Sequence, residues 1–189
     1  VIGYLSTTKR LGITFGGRIR IPMGLKEHPV GLVESGGLYV VHDNSFGTSA
    51  RPMGGYVVMF CNGAVDWSAG ALKLVPDSSH EAESAQASRA AKAGTYARML
   101  CRNNGRAIVG ATPCFGDNKA HNVSSQQVGS TARTRYYERA VLLYKRAVLL
   151  RILSTHLVST DNMVADIFTK ATDKATFTRM RNSMMNVHG

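Results

Sequence analysis

Between residues 78 and 103 one stripe of side chains limits what this chain can fold into. Glu83, Ala87, Ala90, Gly94, Ala97 and Cys101 follow one another at alternating four- and three-residue steps, so on an α-helix they share one face. Every member but the first is small. Small side chains let a helix lie close against a sheet, which makes this the packed face. Ser78, with Glu81 three residues on, reads as a capping box that opens the helix, which is predicted to run to about residue 103. The cap uses Glu81, whereas Glu83 points the same way as the packed stripe. A carboxylate there is costly unless it pairs with Lys or Arg at a partly wet rim or binds a metal. The spacing alone leaves both readings open.

The strands come next. Residues 38–41 form a continuous apolar run between Gly36-Gly37 and Gly47, as a strand buried on both faces would, and the run leads into Asp43. In open α/β sheets, chemistry gathers just beyond strand ends. The plainer role of Asp43-Asn44 is to open a turn. Residues 55–60 are a second strand, Asn62-Gly63 marks a two-residue hairpin, and a third strand is predicted from 64 through Trp67-Ser68 to 75. These make an antiparallel meander. Residues 106–115 predict a fourth strand, with Pro113 suited to an edge or an end. It delivers Asp117, which the local sequence alone favours as the N-cap of a helix reaching about residue 127.

A helix is predicted over 136–150, where Arg139 and Arg146 each open an Arg-Ala-Val-Leu-Leu copy. The copies are seven residues apart and stack on one helix face. A fifth strand over 151–158 follows, and Ser159-Thr160-Asp161 is read as the cap of a short helix over 162–170. On that helix Asp166 borders the apolar side of Met163, Val164, Ile167 and Phe168, and an i,i+4 pair with Lys170 is its plainer role. Residues 173–185 read as a basic amphipathic helix, and 12–16 as a short strand.

At 189 residues the chain is one domain by size, with room for a short appendage. Its 23 Lys and Arg against 12 Asp and Glu, a net charge of +11, point to a polyanionic partner. No apolar run approaches the ~20 residues that span a bilayer, and no signal-peptide pattern opens the chain, so nucleic acid is favoured over a membrane surface. Cys61, Cys101 and Cys114 lack metal-finger spacing, and their odd number argues against a disulfide framework. The first residue is Val1 and the chain opens in mid-element, as a piece excised from a polyprotein would.

Four segments in this order resemble the ribonuclease H domain of copia-type retrotransposon reverse transcriptases. His42-Asp43-Asn44-Ser45-Phe46 with Gly54-Gly55-Tyr56-Val57 is similar to that family's first motif and second strand. Trp67-Ser68 followed by Ser78-Ser79-His80-Glu81-Ala82-Glu83 resembles its Trp-Ser and Ser-Ser-x-Glu-Ala-Glu segments. Asp117-Asn118 resembles its Asp-Asn, and the stretch from Leu157 to Lys170, ending Ala165-Asp166-Ile167-Phe168-Thr169-Lys170, is the closest. Tyr4-Leu5 through Gly16 is similar to the tail of the family's polymerase connection.

The resemblance implies an α/β fold: a ribonuclease H-like mixed five-stranded sheet, antiparallel over the first three strands and parallel beyond, flanked by helices. It divides the chain into a connection tail and linker (1–36), the ribonuclease H-like domain (37–171) and a C-terminal basic helix (172–189). Carried over residue by residue, it makes Asp43, Glu83, Asp117 and Asp166 the catalytic metal ligands. An all-oxygen set of this kind suits two Mg²⁺, or Mn²⁺, roughly 3.5–4 Å apart. Asp43 would bridge the two ions, with Glu83 and Asp117 on the leaving-group side and Asp166 on the nucleophile side. The implied reaction is hydrolysis of the RNA strand of an RNA/DNA hybrid during reverse transcription. Arg102, Arg106, Lys119, Arg133, Arg135 and Arg139 lie near the acids in sequence and are candidates for tracking its backbones.

The other implied partner is a polymerase domain of the same polyprotein. The implied location is intracellular, in the cytoplasm within a virus-like particle or in the nucleus. The chain departs from the family at Ser45, Phe46, Ser84 and Ser159, and its loop over 134–138 lacks the family's His. The missing His predicts product release that is slow or water-mediated. Two other readings are an inactive ribonuclease H-like binding or connection domain and a related DNA polynucleotidyl transferase.

Overall fold

The structure, a computed structural model, describes residues 6–20, 25–47, 51–73, 75–126 and 138–187, with residues 138–141 described by backbone alone. Five strands, β1 (Tyr39–Asn44), β2 (Met53–Phe60), β3 (Gly63–Ala71), β4 (Thr112–Gly116) and β5 (Leu153–Leu157), form one sheet in the order β3-β2-β1-β4-β5. Pairs β1–β2 and β2–β3 are antiparallel, and β1–β4 and β4–β5 are parallel. The helices are α1 (Ser79–Asn103), α2 (Lys119–Ser125), α3 (Glu138–Leu149) and α4 (Lys174–Met185). The mixed five-stranded sheet flanked by helices is the architecture expected from the sequence.

Strand β1 is central, and its alternation divides the core. Val40 turns to one side with Ala87, Ala90 and Ala91 of α1, Cys114, Tyr144 and Leu153. Val41 turns to the other with Val57, Phe115, Met163, Met180 and Met184. The last two come from α4, so the C-terminal basic helix set apart over 172–189 shares this core. At Gly94 a Cβ would lie 2.7 Å from Val40 Cγ2, which is why the stripe of α1 must be small.

Several boundaries differ from expectation, each for a visible reason. The hairpin turn is Cys61-Asn62, both at positive φ, one residue earlier than the Asn62-Gly63 expected. Gly63 is needed elsewhere, since a Cβ there would run into Phe15 and Ile13. Strand β3 stops at Ala71 rather than 75 because its partner β2 begins at Met53, opposite Ala71. Residues 106–111 are not strand: Ser35 Oγ bonds both the N–H and the carbonyl of Val109, and Gly110 is at φ +68°. Pro113 sits inside the sheet but ahead of the first β1–β4 pair, Val40↔Cys114. Arg151, at φ 53°, supplies the break between α3 and β5 that lacks a glycine. Residues 12–16 form no strand.

Of the seven-residue repeat, Leu142, Leu143, Leu149 and Leu150 lie exposed while Tyr144 and Ala147 are buried. The short helix expected over 162–170 is instead two 3₁₀ turns, Thr160–Asn162 and Val164–Phe168, and neither has a side-chain cap. Replacing Gly94 by Ala is expected to destabilise the protein by about 1–3 kcal/mol despite alanine's better helix propensity, because overpacking against Val40 outweighs it. Urea denaturation of G94A against the parent measures this.

Candidate active site

Two parallel strands side by side, β1 and β4, end at the same edge of the sheet, and each carries an acid at or just past its end. Asp43 is the fifth residue of β1 and Asp117 immediately follows β4. Above them runs the first turn of α1. Its cap forms as the sequence suggests: Ser78 Oγ accepts from the Glu81 N–H at 3.2 Å, and Glu81 Oε2 accepts from the Asp77 N–H at 2.9 Å. Glu81 is thereby occupied, and Glu83 alone turns inward.

Carboxylate oxygens of Asp43, Glu83 and Asp117 lie within 4.8 Å of one another. Asp43 and Glu83 are each 2% exposed, and Asp117 is half-buried. Asp117 is not the cap of α2; Asn118 is, its side chain accepting from the His121 N–H at 3.0 Å. That frees Asp117 to face the other acids, with Thr160 Oγ1 donating to its Oδ2 at 3.2 Å.

Among the described residues the trio does not extend to Asp166, which is buried on the second 3₁₀ turn. Lys170 joins it to the trio: its Nζ is 2.9 Å from Asp166 Oδ1 and 3.4 Å from Asp43 Oδ2. The hydroxyl of Thr169 also donates to Asp43 Oδ2. This approach depends on Gly55, which pairs with Asp43 across β1–β2. A Cβ on Gly55 would lie 2.4 Å from Phe168 Cβ and 3.2 Å from Thr169 Cγ2.

On the α1 side, Glu83 meets groups that sequence reasoning did not single out. His42, fully buried, places Nδ1 3.1 Å from Glu83 Oε1, and Asn44 Nδ2 donates to Glu83 Oε2. The rings of His42 and His121 are 6.1 Å apart, and that of Tyr144 lies 5.1 Å from His121. Ser84, where the family resemblance implies an aromatic, instead places its Oγ 3.3 Å from His121 Nδ1. Burial works against a charged His42, but Cys114 and Glu83 outweigh it and lift its pKa to about 10. Burial takes His121 the other way, well below the usual histidine value. The sequence signal for His42 was its place beside Asp43; nothing marked His121.

The basic candidates scatter. Lys119 is exposed two residues beyond Asp117. Arg102 lies 19 residues beyond Glu83 on one straight helix, about 28 Å along it. Arg106 is at the same far end, its guanidinium 5.6 Å above the Phe60 ring. Nearness in sequence does not carry over for these two, because α1 is 25 residues long and carries them to the end away from Glu83. Arg133, Arg135 and the side chain of Arg139 lie outside the described residues.

Burial pushes the Asp43 carboxyl up to about 6; Thr169 and Lys170 pull it down, while Asp166 and Asp117 push it further up. An acid whose folded pKa is raised stabilises the fold below its unfolded value, near 3.8, and loses that contribution as pH rises through about 6. Replacing Asp43 by Asn removes the titration. In metal-free buffer the melting temperature of D43N is therefore expected to gain on the parent's between about pH 4 and about pH 7.

No protein-family model matches the chain, and no curated protein matches it. Among solved structures it is similar to RNase H1 from the halophilic archaeon Halobacterium salinarum, at 18% identity and a TM-score of 0.48, covering 70% of this chain and 93% of that one. The N-terminal RNase H domain of a Mycobacterium tuberculosis protein gives 15% identity and a TM-score of 0.45, over 77% of this chain and 96% of that one. LC11-RNase H1, solved in complex with an RNA/DNA hybrid, gives 11% identity and a TM-score of 0.45, over 70% and 91%.

Proposed function

We propose that the chain is a metal-dependent endonuclease that cuts the RNA strand of RNA/DNA hybrids. The observation that carries this reading is the meeting of three carboxylates, from β1, α1 and the end of β4, within 4.8 Å at one edge of the sheet. Three such acids repel one another unless a cation stands among them, and their donors are all oxygen, as Mg²⁺ and Mn²⁺ prefer. A lysine ammonium already stands beside the cluster in a cation's role. Asp43, Glu83 and Asp117 would hold one ion, and Asp43 with Asp166 a second. Divalent cations held there supply water activation and charge neutralisation at the scissile phosphate.

The protein's own groups orient the acids. Asn44 donates to Glu83 Oε2 while His42 Nδ1 stands 3.1 Å from Glu83 Oε1, and Thr169 donates to Asp43. Among the described basic candidates, exposed Lys119, two residues beyond Asp117, is the one placed in sequence to receive a backbone phosphate. The +11 net charge supplies the general attraction to nucleic acid. The resemblance set out above adds the setting: a copia-type reverse transcriptase polyprotein, with a polymerase domain as neighbour, acting within the cell. Among the described residues no helix is long and apolar enough to cross a membrane.

With labelled hybrid, cleavage of the RNA strand is expected with Mg²⁺ and not with chelator, and D43N is expected to fall to background while still binding hybrid. Cleavage of duplex DNA instead would favour a DNA polynucleotidyl transferase, and binding without cleavage a connection-type domain. Affinity is also expected to drop steeply with added salt as phosphate contacts release counterions.

A further inference from the structure

The gap between Asp43 and Asp166 already contains a positive charge. Lys170 Nζ lies within hydrogen-bond distance of Asp166 Oδ1, at 2.9 Å, and 3.4 Å from Asp43 Oδ2. It thus links the acid outside the three-carboxylate cluster to one inside it. The Lys170 side chain is 35% exposed, while those of Asp43 and Asp166 are 2% and 11% exposed, so the ammonium has a route to water that the acids lack. Its backbone is fixed by the Lys170 N–H donating to the Asp166 carbonyl at 2.8 Å. A four-carbon stem on a fixed base can swing its charge in or out without moving the turn.

The two halves of the acidic site are therefore unequal. Among the described residues Asp117 has no ion pair, and the cluster it forms with Asp43 and Glu83 has no lysine or arginine within ion-pair distance other than Lys170 at one oxygen of Asp43. We propose that Lys170 is a resident cation for the Asp43–Asp166 position, which a divalent ion must displace. On this view, which rests on the acids being a cation site, the Asp43–Glu83–Asp117 position loads first. The Asp43–Asp166 position loads only when Lys170 finds another anion, such as a backbone phosphate of a bound hybrid. Lys170 Nζ, 2.9 Å from Asp166 Oδ1 and 3.4 Å from Asp43 Oδ2, fills the volume that an ion held by those two oxygens would need, so the two cannot occupy it together. Lys170 is in this sense a positioning residue: it sets the order in which charge enters the site.

Mn²⁺ titration of the full chain, followed by electron paramagnetic resonance and equilibrium dialysis, tests this without reference to turnover. Without nucleic acid the parent is expected to bind about one Mn²⁺ tightly, and K170M and K170Q about two, the second at least about tenfold tighter than in the parent. Adding an uncleavable 2′-O-methyl RNA/DNA hybrid is expected to raise the parent's count to that of the variants. Equal counts and affinities in parent and both variants would overturn the role of Lys170 and leave the metal site standing. No Mn²⁺ bound by any of the three would overturn both. Thermal melts of the two variants, read beside the parent, separate lost ions from lost fold.

Discussion

Like charges repel, and the sheet brings three carboxylates to within 4.8 Å of one another. This single conflict organises the rest of the edge where they meet. Two of the acids are almost wholly buried, so water cannot relieve it. The chain responds with cations and donors placed around the rim of the cluster rather than inside it: His42 and Asn44 at Glu83, Lys170 and Thr169 at Asp43. What those groups leave uncompensated is the centre of the trio, where the proposed cation would sit.

Close packing brings the acids so near. Strands β1 and β4 must run parallel and adjacent for Asp43 and Asp117 to emerge at one edge, and α1 must lie low on the sheet for Glu83 to reach them. Gly94 over Val40 sets the depth of the helix. Gly55 opposite Asp43 admits the turn that carries Asp166, Thr169 and Lys170. Both are positions where one methyl group would separate partners that the site needs together, which ties packing in the core to chemistry at the rim.

Much of this was legible from residue spacing. The α1 stripe distinguished Glu83 from Glu81 because helical periodicity is a property of the local chain, and the capping box independently claimed Glu81. The strands and the antiparallel meander of the first three were legible for the same reason, whereas the parallel pairing of β4 and β5 came from the family resemblance. What failed was whatever depends on a partner distant in sequence. The end of β3 is set by where β2 begins, the coil at 106–111 by Ser35, and the turn residues at 61–62 by the packing of Ile13 and Phe15 on Gly63. Arg102 and Arg106 were misleading because proximity along a 25-residue helix is distance in space. His121 was missed because a buried histidine announces itself by what surrounds it, and His42 because its one signal, the place beside Asp43, was spent on the acid.

The two cations beside the cluster are not equivalent, and the difference follows from burial. His42 is fully enclosed beneath Glu83, ringed by His121 and Tyr144, and has no path by which to leave. Its ring is a fixed part of the wall, with Nδ1 held 3.1 Å from Glu83 Oε1. Lys170 is one-third exposed on a flexible stem and serves the same electrostatic need reversibly. On the proposed reading the two are complementary: a fixed imidazole beside buried Glu83, and a lysine that can yield its place to a divalent ion. The asymmetry between the two flanks of the cluster is thus the physical form that the conflict among the carboxylates takes in this chain.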